Sequence, residues 1–107
     1  MDLYLSQSHQ ELRATVREFA EKEIAPVARE LDETGRFPWE NVKKMAELGL
    51  FGINIPEEYG GLGRDYLSYI LVVEELARVD ASHAITVSAH STLGSSPILN
   101  FGTEAQK

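Results

Sequence analysis

The residues of this sequence whose types and spacing could bind a metal ion are two histidines and an aspartate. His83 follows Asp80 by three positions and His90 follows His83 by seven, so all three would lie on one side of a helix. A helical metal site needs several carboxylates, usually in a repeated Glu-x-x-His pattern, and this stretch holds one acid–histidine pair. The chain has no cysteine, which excludes thiolate ligation and a disulfide scaffold. We therefore predict hydrogen-bonded or exposed histidines and no metal site.

Hydroxyl groups next to His90 could belong to a serine hydrolase. The nearby hydroxyl residues are Ser91, Thr92, Ser95 and Ser96. A nucleophilic serine needs a base that a third group positions, and the strand-to-helix elbow of many hydrolases has the sequence Gly-x-Ser-x-Gly. The chain lacks that motif, and no strand is predicted ahead of these serines. Serine catalysis is therefore disfavoured.

The segment Gly60-Gly61-Leu62-Gly63 follows an apolar stretch, as phosphate-binding loops do. It matches neither Gly-x-Gly-x-x-Gly nor a loop that ends in Gly-Lys-Ser/Thr, so we interpret it as a turn with positive backbone angles.

The acid pairs Glu57-Glu58 and Glu74-Glu75 are adjacent, and neighbours on a helix do not face each other. A carboxylate pair that shares a proton is not expected, and a solvated helix face is predicted for Glu74 and Glu75.

The most informative feature is a stretch without any charged residue, from Ala81 to Thr103, in a chain of which 25% is charged. Small and hydroxylated residues alternate there with Ile85, Val87 and Leu93. Two roles fit such a helix, and the residues alone do not separate them. One is a central helix buried against other protein, and the other is the wall of an apolar ligand site in which small side chains leave room.

Helices must position these residues, and hydrophobic periodicity predicts them in the first half of the chain. Ser8-x-x-Glu11 has capping-box spacing. Pro26 is expected to kink this first helix rather than end it, and Gly35 to end it. A second helix is predicted to open at Phe37-Pro38-Trp39 and to end at Gly49. The first helix has an apolar face with the helical period, formed by Leu12, Val16, Phe19, Ala20 and Ile24.

The second half is also predicted to be helical, after a connector. Residues 50–55 alternate weakly like a strand, but one isolated strand cannot form a sheet, so an extended buried connector is predicted. A helix is expected over residues 65–77, another with Asp80 or Ser82 as its cap, and a short one capped at Ser95-Ser96-Pro97. One side of the helix over 65–77 is lined by Tyr66, Ile70, Val73 and Ala77. The expected fold class is all-α, a bundle of about five to six helices around one core.

Length and charge limit the classes of protein further. The chain has 107 residues, 43% of them hydrophobic, and a formal net charge of -7, which disfavours disorder and a nucleic-acid partner. No run of about 18 apolar residues could span a membrane, and the N-terminus lacks a signal-peptide pattern. Thr103-x-x-Gln106 has capping-box spacing just before the last residue, Lys107. We expect residues 1–107 to be one helical domain, incomplete at its C-terminus and cut from a longer protein.

The order of these segments resembles the N-terminal helical domain of the acyl-CoA dehydrogenase family. The most specific pieces are Ile-Pro-Glu-Glu-Tyr-Gly-Gly-Leu-Gly at residues 55–63 and the later Gly-Thr-Glu at residues 102–104. The resemblance covers nearly the whole chain in order. Its other pieces are residues 16–19 with 24–26, residues 47–52, residues 73–82, and residues 90–94 leading to Pro97-Ile98 and on to Lys107.

This resemblance implies a flavoenzyme. Family members use FAD to remove two hydrogens from the α and β carbons of an acyl-CoA thioester, a glutamate taking the α proton and the flavin the β hydride. A β-domain and a second helical domain follow in such proteins and supply most flavin contacts and the base. This chain alone is therefore expected to be inactive and to hold no FAD, and no catalytic residue is assigned to it. An electron-transfer flavoprotein is the partner that the resemblance implies.

The resemblance also implies which residues contact the substrate. In the family, the helix before the Ser-Leu-Gly-like segment lies along the fatty acyl chain, and here these residues are Ile85, Thr86, Ala89, His90 and Leu93. The spacing of Ile85, Ala89 and Leu93 puts them on one helix face, as a pocket wall requires. Ala89 would leave room in the middle of that face. His90 departs from the family's pattern. Its large polar ring could shorten or redirect the pocket.

A second hypothesis belongs to another class of protein, a stand-alone helical interaction module without catalytic activity. A stop codon after Lys107 would support the module, and continuation into a β-rich segment would support the enzyme. Without neighbours, residues 50–55 and the helix from Ser82 would expose apolar surface, which favours association, so a homo-oligomer is expected. The position of Met1 close to the first helix suggests a bacterial-type cytoplasm, or the mitochondrial matrix in a eukaryote.

Overall fold

The computed structural model describes residues 3–107, and every regular element in that range is helical. The α-helices are α1 (Gln7–Phe19), α2 (Ala25–Thr34), α3 (Trp39–Glu47), α4 (Tyr66–Val79), α5 (Ala81–Ala89) and α6 (Ser96–Phe101). A π turn at Ala20–Ile24 joins α1 to α2, a second at His90–Ser95 joins α5 to α6, and a 3-10 turn at Glu57–Tyr59 precedes α4. The all-α prediction with five to six helices is confirmed. No helix in this range is long and apolar enough to cross a membrane.

A π turn lets the first helix continue through Pro26. Proline has no amide hydrogen, and in an α-helix its ring collides with the carbonyl four residues earlier. At Ala20–Ile24 the backbone widens, and the Ala25 amide donates to the Ala20 carbonyl, five residues back. Pro26 then occupies the first turn of α2, where its missing amide costs least. The prediction that Pro26 does not end the helix is confirmed, and Gly35 ends it, with φ 70°.

The same arrangement precedes Pro97. Across the second π turn, the Ser96 amide donates to the Ser91 carbonyl, again five residues back. Ser95 has α-helical backbone angles, and its side chain makes no capping hydrogen bond. The predicted cap at Ser95 and Ser96 was therefore wrong, because the π turn carries the helix past the proline. As a result α5, the second π turn and α6 form one continuous rod, called the α5–α6 rod below.

The cap of α1 differs from the predicted one. The Ser6 hydroxyl accepts the His9 amide at 3.2 Å, and His9 Nδ1 accepts the Ser6 amide at 3.1 Å. The imidazole thus fills the acceptor role that glutamate or glutamine has in the usual capping box. The predicted box of Ser8 and Glu11 was wrong by two residues, and the Ser8 hydroxyl instead accepts from Arg64 at 2.7 Å.

Other caps agree with the sequence. Asp80, one of the two predicted caps, accepts the His83 amide at the start of α5, whereas Asp65, expected as the first residue of its helix, caps α4 by accepting the Ser68 amide. The box predicted at the end of the chain also forms: the Thr103 amide donates to Gln106 Oε1 at 2.9 Å, and the Gln106 amide donates to Thr103 Oγ1 at 3.3 Å. These positions were predictable because a cap depends on residues only three apart.

The core lies where α1, the first π turn, α4 and α5 meet. The predicted apolar face of the first helix supplies much of it, with Val16, Ala20 and Ile24 fully buried. The buried cluster consists of Val16, Phe19, Ala20, Ile24, Met45, Leu50, Ile53, Tyr69, Val72, Leu76, Ala84 and Val87.

Helix α4 buries a face that periodicity did not single out. Tyr69, Val72 and Leu76 are buried, whereas Tyr66 (61% exposed) and Ile70 (45% exposed) from the row described in the sequence face outward. Because α4 carries apolar residues on almost every side, its sequence pattern does not predict which face is buried. The packing of α4 against α1 and α5 determines that face.

The connector of residues 50–55 is buried but not extended. Leu50 and Ile53 are almost fully buried, as predicted. The backbone makes consecutive turns, in which the Gly52 amide donates to the Gly49 carbonyl and the Ile55 amide to the Gly52 carbonyl. Gly49 has φ 80°, a left-handed conformation that glycine adopts without strain. The expected extended conformation was wrong because these glycines let the chain turn while Leu50 and Ile53 enter the core.

Candidate functional site

The α5–α6 rod contains the residues that the sequence assigned to a pocket wall, and it is buried on one side only. Its inner face meets the core through His83, Ala84, Val87 and Ser91. On the outer face, Ile85 is 65% exposed and Leu93 is 77% exposed. Ala89 lies between them at helical spacing. The rod therefore packs on the core on one side and has an exposed apolar face on the other.

Thr86 and His90 lie one helical turn apart on the flank of this outer face. The Thr86 hydroxyl donates to the Ser82 carbonyl at 2.8 Å, so its hydrogen stays within the helix. The His90 ring packs edge to face on Phe51, with ring centroids 4.9 Å apart and planes at 69°. None of the five predicted wall residues is buried: Ile85, His90 and Leu93 are exposed, and Thr86 and Ala89 are half-buried. Sequence reasoning missed the contact of Phe51 with His90, because Phe51 lies far away in the chain.

A small cleft opens beside α6. Its volume is about 210 Å³, and it is lined by Ile55, Tyr59, Ser95, Ile98, Leu99, Gln106 and Lys107. The Tyr59 hydroxyl donates to Glu104 Oε2 at 2.9 Å, and this hydrogen bond raises the pKa of Tyr59. Ordinary ligand pockets have volumes of about 300–1,000 Å³. The volume of this cleft is below that range.

His83, one of the residues considered as a metal ligand, is buried in a hydrogen-bond network. Its Nδ1 lies 2.5 Å from Asp80 Oδ2, and its Nε2 lies 3.2 Å from the Asn41 side-chain nitrogen. Burial raises the pKa of Asp80, but hydrogen bonds from Ser82 and His83 outweigh burial and leave that pKa lowered. The expectation of a hydrogen-bonded histidine is confirmed here. Within residues 3–107, no group of three or more His, Cys, Asp or Glu is arranged to hold a metal ion.

Glu75 is the main correction among the charged residues, because it is buried rather than solvated. Its side chain is 2% exposed and receives two hydrogen bonds from Arg17, from Nε to Oε2 and from Nη2 to Oε1, both at 2.9 Å. Arg78 Nε lies 3.5 Å from Oε2. The hydrogen bonds from Arg17 lower the pKa of Glu75 against the opposing effect of burial. Glu74, its neighbour, is exposed as predicted.

The serine-rich and glycine-rich segments show no arrangement for catalysis or phosphate binding. The Ser91 hydroxyl is buried and has no hydrogen-bond partner among the described residues. Gly60 (φ 91°) and Gly63 (φ 61°) have the predicted positive backbone angles. Gly61 packs directly on the Ile55 carbonyl, and a side chain there would collide with it. The loop is therefore closed against its own chain.

These features define a class of all-helical chain that has an open apolar helix face and a glycine turn closed on its own chain. Residues 6–107 match the family described as "Acyl-CoA dehydrogenase, N-terminal domain". The chain belongs to this family, as the resemblance implied.

Similar proteins and structures agree with this assignment. The chain is 51% identical over 107 residues to the short-chain specific acyl-CoA dehydrogenase of Clostridium acetobutylicum, covering all of this chain and 28% of that protein. It superposes on butyryl-CoA dehydrogenase from Megasphaera elsdenii with a TM-score of 0.91 and 44% identity. A chain from a structural study of the electron transferring flavoprotein of Acidaminococcus fermentans gives a TM-score of 0.93 and 47% identity. Both alignments cover 99% of this chain and 28% of the other, so the chain spans little more than a quarter of these relatives' length.

Proposed function

We propose that this chain is the N-terminal helical part of a flavin-dependent acyl-CoA dehydrogenase and that the outer face of the α5–α6 rod forms one wall of its acyl-chain pocket. The observation that carries the proposal is the exposed apolar pair Ile85 and Leu93, with the small Ala89 between them. No charged residue occurs from Ala81 to Thr103. An acyl chain lying on this face would gain about 0.8 kcal/mol for each methylene removed from water.

The work of these residues in the reaction is binding and water exclusion. Ile85, Ala89 and Leu93 would hold the acyl chain in one direction, which fixes the position of the carbons near the thioester. FAD supplies the redox chemistry in this enzyme class. The glycine turn does not fit a flavin phosphate, because Ile55 fills it. No step is therefore assigned to FAD through this chain, and the remainder of the parent enzyme would hold it.

The proposal is tested with the purified parent protein that contains these residues. We expect a bound yellow flavin that short acyl-CoA substrates reduce under anaerobic conditions, and no bound flavin in residues 1–107 alone. Ala89→Leu is expected to lower kcat/KM for acyl-CoA about tenfold, because the larger side chain fills the space of the acyl chain. Ala14→Leu is the matched control, since Ala14 is exposed on α1, away from the rod. A parent without flavin, or an Ala89→Leu enzyme indistinguishable from Ala14→Leu, would refute the proposal.

An electron-transfer flavoprotein is the proposed electron acceptor, and a bacterial cytoplasm or a mitochondrial matrix is the proposed location. Relatives with dehydrogenase names occur in bacteria and in cattle mitochondria, which supports both locations. Spectroscopic reduction of added electron-transfer flavoprotein by substrate-reduced parent enzyme tests the partner. Absence of electron transfer to it, with transfer to an artificial dye intact, would exclude it.

The alternative, a helical interaction module, is favoured by a second exposed apolar area on α4. Tyr66 is 61% exposed, Ile70 is 45% exposed and Leu67 is 37% exposed, and apolar areas of this kind favour association. Both hypotheses include a homo-oligomer. Light scattering of residues 1–107 tests association: the module requires a stable oligomer and a parent that binds no flavin. A monomer at high concentration would count against the oligomer.

A further inference from the structure

His90 is a polar residue beside the outer face of the rod, and the proposed apolar wall does not account for it. The side chain is exposed. Within the described part of the chain, no hydrogen bond occupies either of its ring nitrogens, and its ring packs against Phe51 at 4.9 Å between centroids. Thr86, the other polar residue of the flank, already donates its hydroxyl hydrogen to the helix backbone. The ring nitrogens of His90 are therefore the polar atoms of this flank that remain available for a hydrogen bond.

Phe51 holds the His90 ring in place. Phe51 is itself half-buried and packs against the core cluster, so it offers the imidazole a fixed aromatic surface on which edge-to-face packing is favourable. The ring of His90 is consequently kept on the flank of the outer face, next to Ala89. An acyl chain that lies on Ile85 and Ala89 passes beside it.

The cost of covering His90 depends on the length of the acyl chain. Methylene groups that lie over the imidazole remove water from its ring nitrogens and offer no hydrogen bond in return, which is unfavourable for any buried polar group. A chain too short to reach the ring leaves it hydrated. Each added methylene would otherwise improve binding, so the imidazole opposes the general preference for longer chains.

We infer that His90, held by Phe51, sets an upper limit on the length of the acyl chain that this face accepts. This inference rests on the proposed function and extends it by naming the residue that discriminates among acyl-CoA substrates. Loss of an imidazole that a long acyl chain would cover is expected to change the relative use of long and short chains about tenfold. His90 acts on the bound chain, and Phe51 is a positioning residue that acts through His90.

The test uses the flavin-loaded parent enzyme and compares kcat/KM for octanoyl-CoA with kcat/KM for butyryl-CoA. His90→Leu is expected to raise the octanoyl-to-butyryl ratio about tenfold. His90→Gln keeps a polar side chain and is expected to keep the wild-type ratio. Thr92→Val is the matched control, because Thr92 is an exposed polar residue on the same rod whose hydroxyl donates within the helix at 2.7 Å.

Phe51→Leu tests the positioning role, with the melting temperature recorded to separate it from loss of folding. It is expected to move the ratio in the same direction as His90→Leu, by a smaller factor. An unchanged ratio in His90→Leu, or equal changes in His90→Leu and Thr92→Val, would overturn the inference and leave the proposed function standing. If the wild-type parent oxidises neither acyl-CoA, the proposed function fails and the inference fails with it.

Discussion

Replacement of Glu75 by glutamine should destabilise this chain much more than the same replacement at its neighbour. Glu75 is 2% exposed and is held by the two hydrogen bonds from Arg17, both at 2.9 Å. Glutamine has nearly the same shape, but its amide nitrogen is a donor and would face a second donor on the guanidinium. The carboxylate's charge is lost as well, while Arg17 and Arg78 stay in place.

The expected size follows from the burial of the two partners. Breaking a buried ion pair by removing one partner costs about 3–5 kcal/mol. Arg17 is half exposed, with 50% of its side chain accessible, so water can solvate it when Glu75 is gone. We therefore expect Glu75→Gln to lower the free energy of unfolding by about 2 kcal/mol, below that range, and to lower the melting temperature by about 10 °C for a domain of this size.

Urea unfolding followed by circular dichroism at neutral pH measures this difference. Glu74→Gln is the matched control, since it removes the same charge from the same helix at an exposed position and should change stability by less than about 0.5 kcal/mol. The pKa of Glu75 is lowered from its ordinary 4.5, so its contribution is complete above that value and is lost as the pH falls through the folded-state pKa. The gap between wild type and Glu75→Gln should therefore shrink in acid. Equal stability of the two glutamine variants at neutral pH would refute this account of Glu75.

Three smaller predictions concern glycine packing, an unpaired hydroxyl and a cap. Gly61→Ala should lower the free energy of unfolding by about 3 kcal/mol, because the added Cβ would collide with the Ile55 carbonyl. Gly94→Ala is the control: a Cβ there would make ordinary contacts, so this variant should raise the free energy of unfolding by up to about 1 kcal/mol. Urea unfolding measures both variants. Ser91→Ala should raise the melting temperature, since it removes a buried hydroxyl that has no partner within residues 3–107; a clear decrease would mean that this hydroxyl is bonded. Hydrogen bonds from Ser68 and His9 lower the pKa of Asp65 from 3.8 to about 2. The stabilising effect of the Asp65 carboxylate is therefore present above pH 3.8 and is lost as the pH falls toward 2. An NMR titration midpoint near 3.8 would contradict this prediction.

Much of the fold was predictable because it depends on residues close together in the chain. Spacings of three or four residues predict the apolar face of α1, the caps at Asp80 and Thr103 and the end of α3 before Gly49. The continuation through Pro26 was predicted from the apolar pattern beyond it. The capping prediction at Ser8 was wrong because Ser6 caps α1 instead, with the His9 imidazole as the second acceptor. The prediction at Ser95 was wrong because a π turn continues the helix through that position.

The candidate site was predictable only in part. Helical spacing was enough to place Ile85, Ala89 and Leu93 on one face, and the family resemblance named that face as a pocket wall. Spacing could not say whether this face or the opposite one packs on the core, because both sides of the uncharged rod are apolar or small. It also could not bring Phe51 to His90, since no periodicity links a connector to a helix so far along the chain.

For this protein, local hydrogen bonding and periodicity were sufficient to define an all-helical chain, and the ordered motifs were sufficient to define its family, because both depend on neighbouring residues. Tertiary packing determined which face of α4 is buried, and it buried Glu75 in contact with Arg17. It also left Ile85 and Leu93 exposed on the rod on which His90 contacts Phe51. Those outcomes depend on how several helices share one core, and the free energy of burial belongs to that whole arrangement rather than to any one segment.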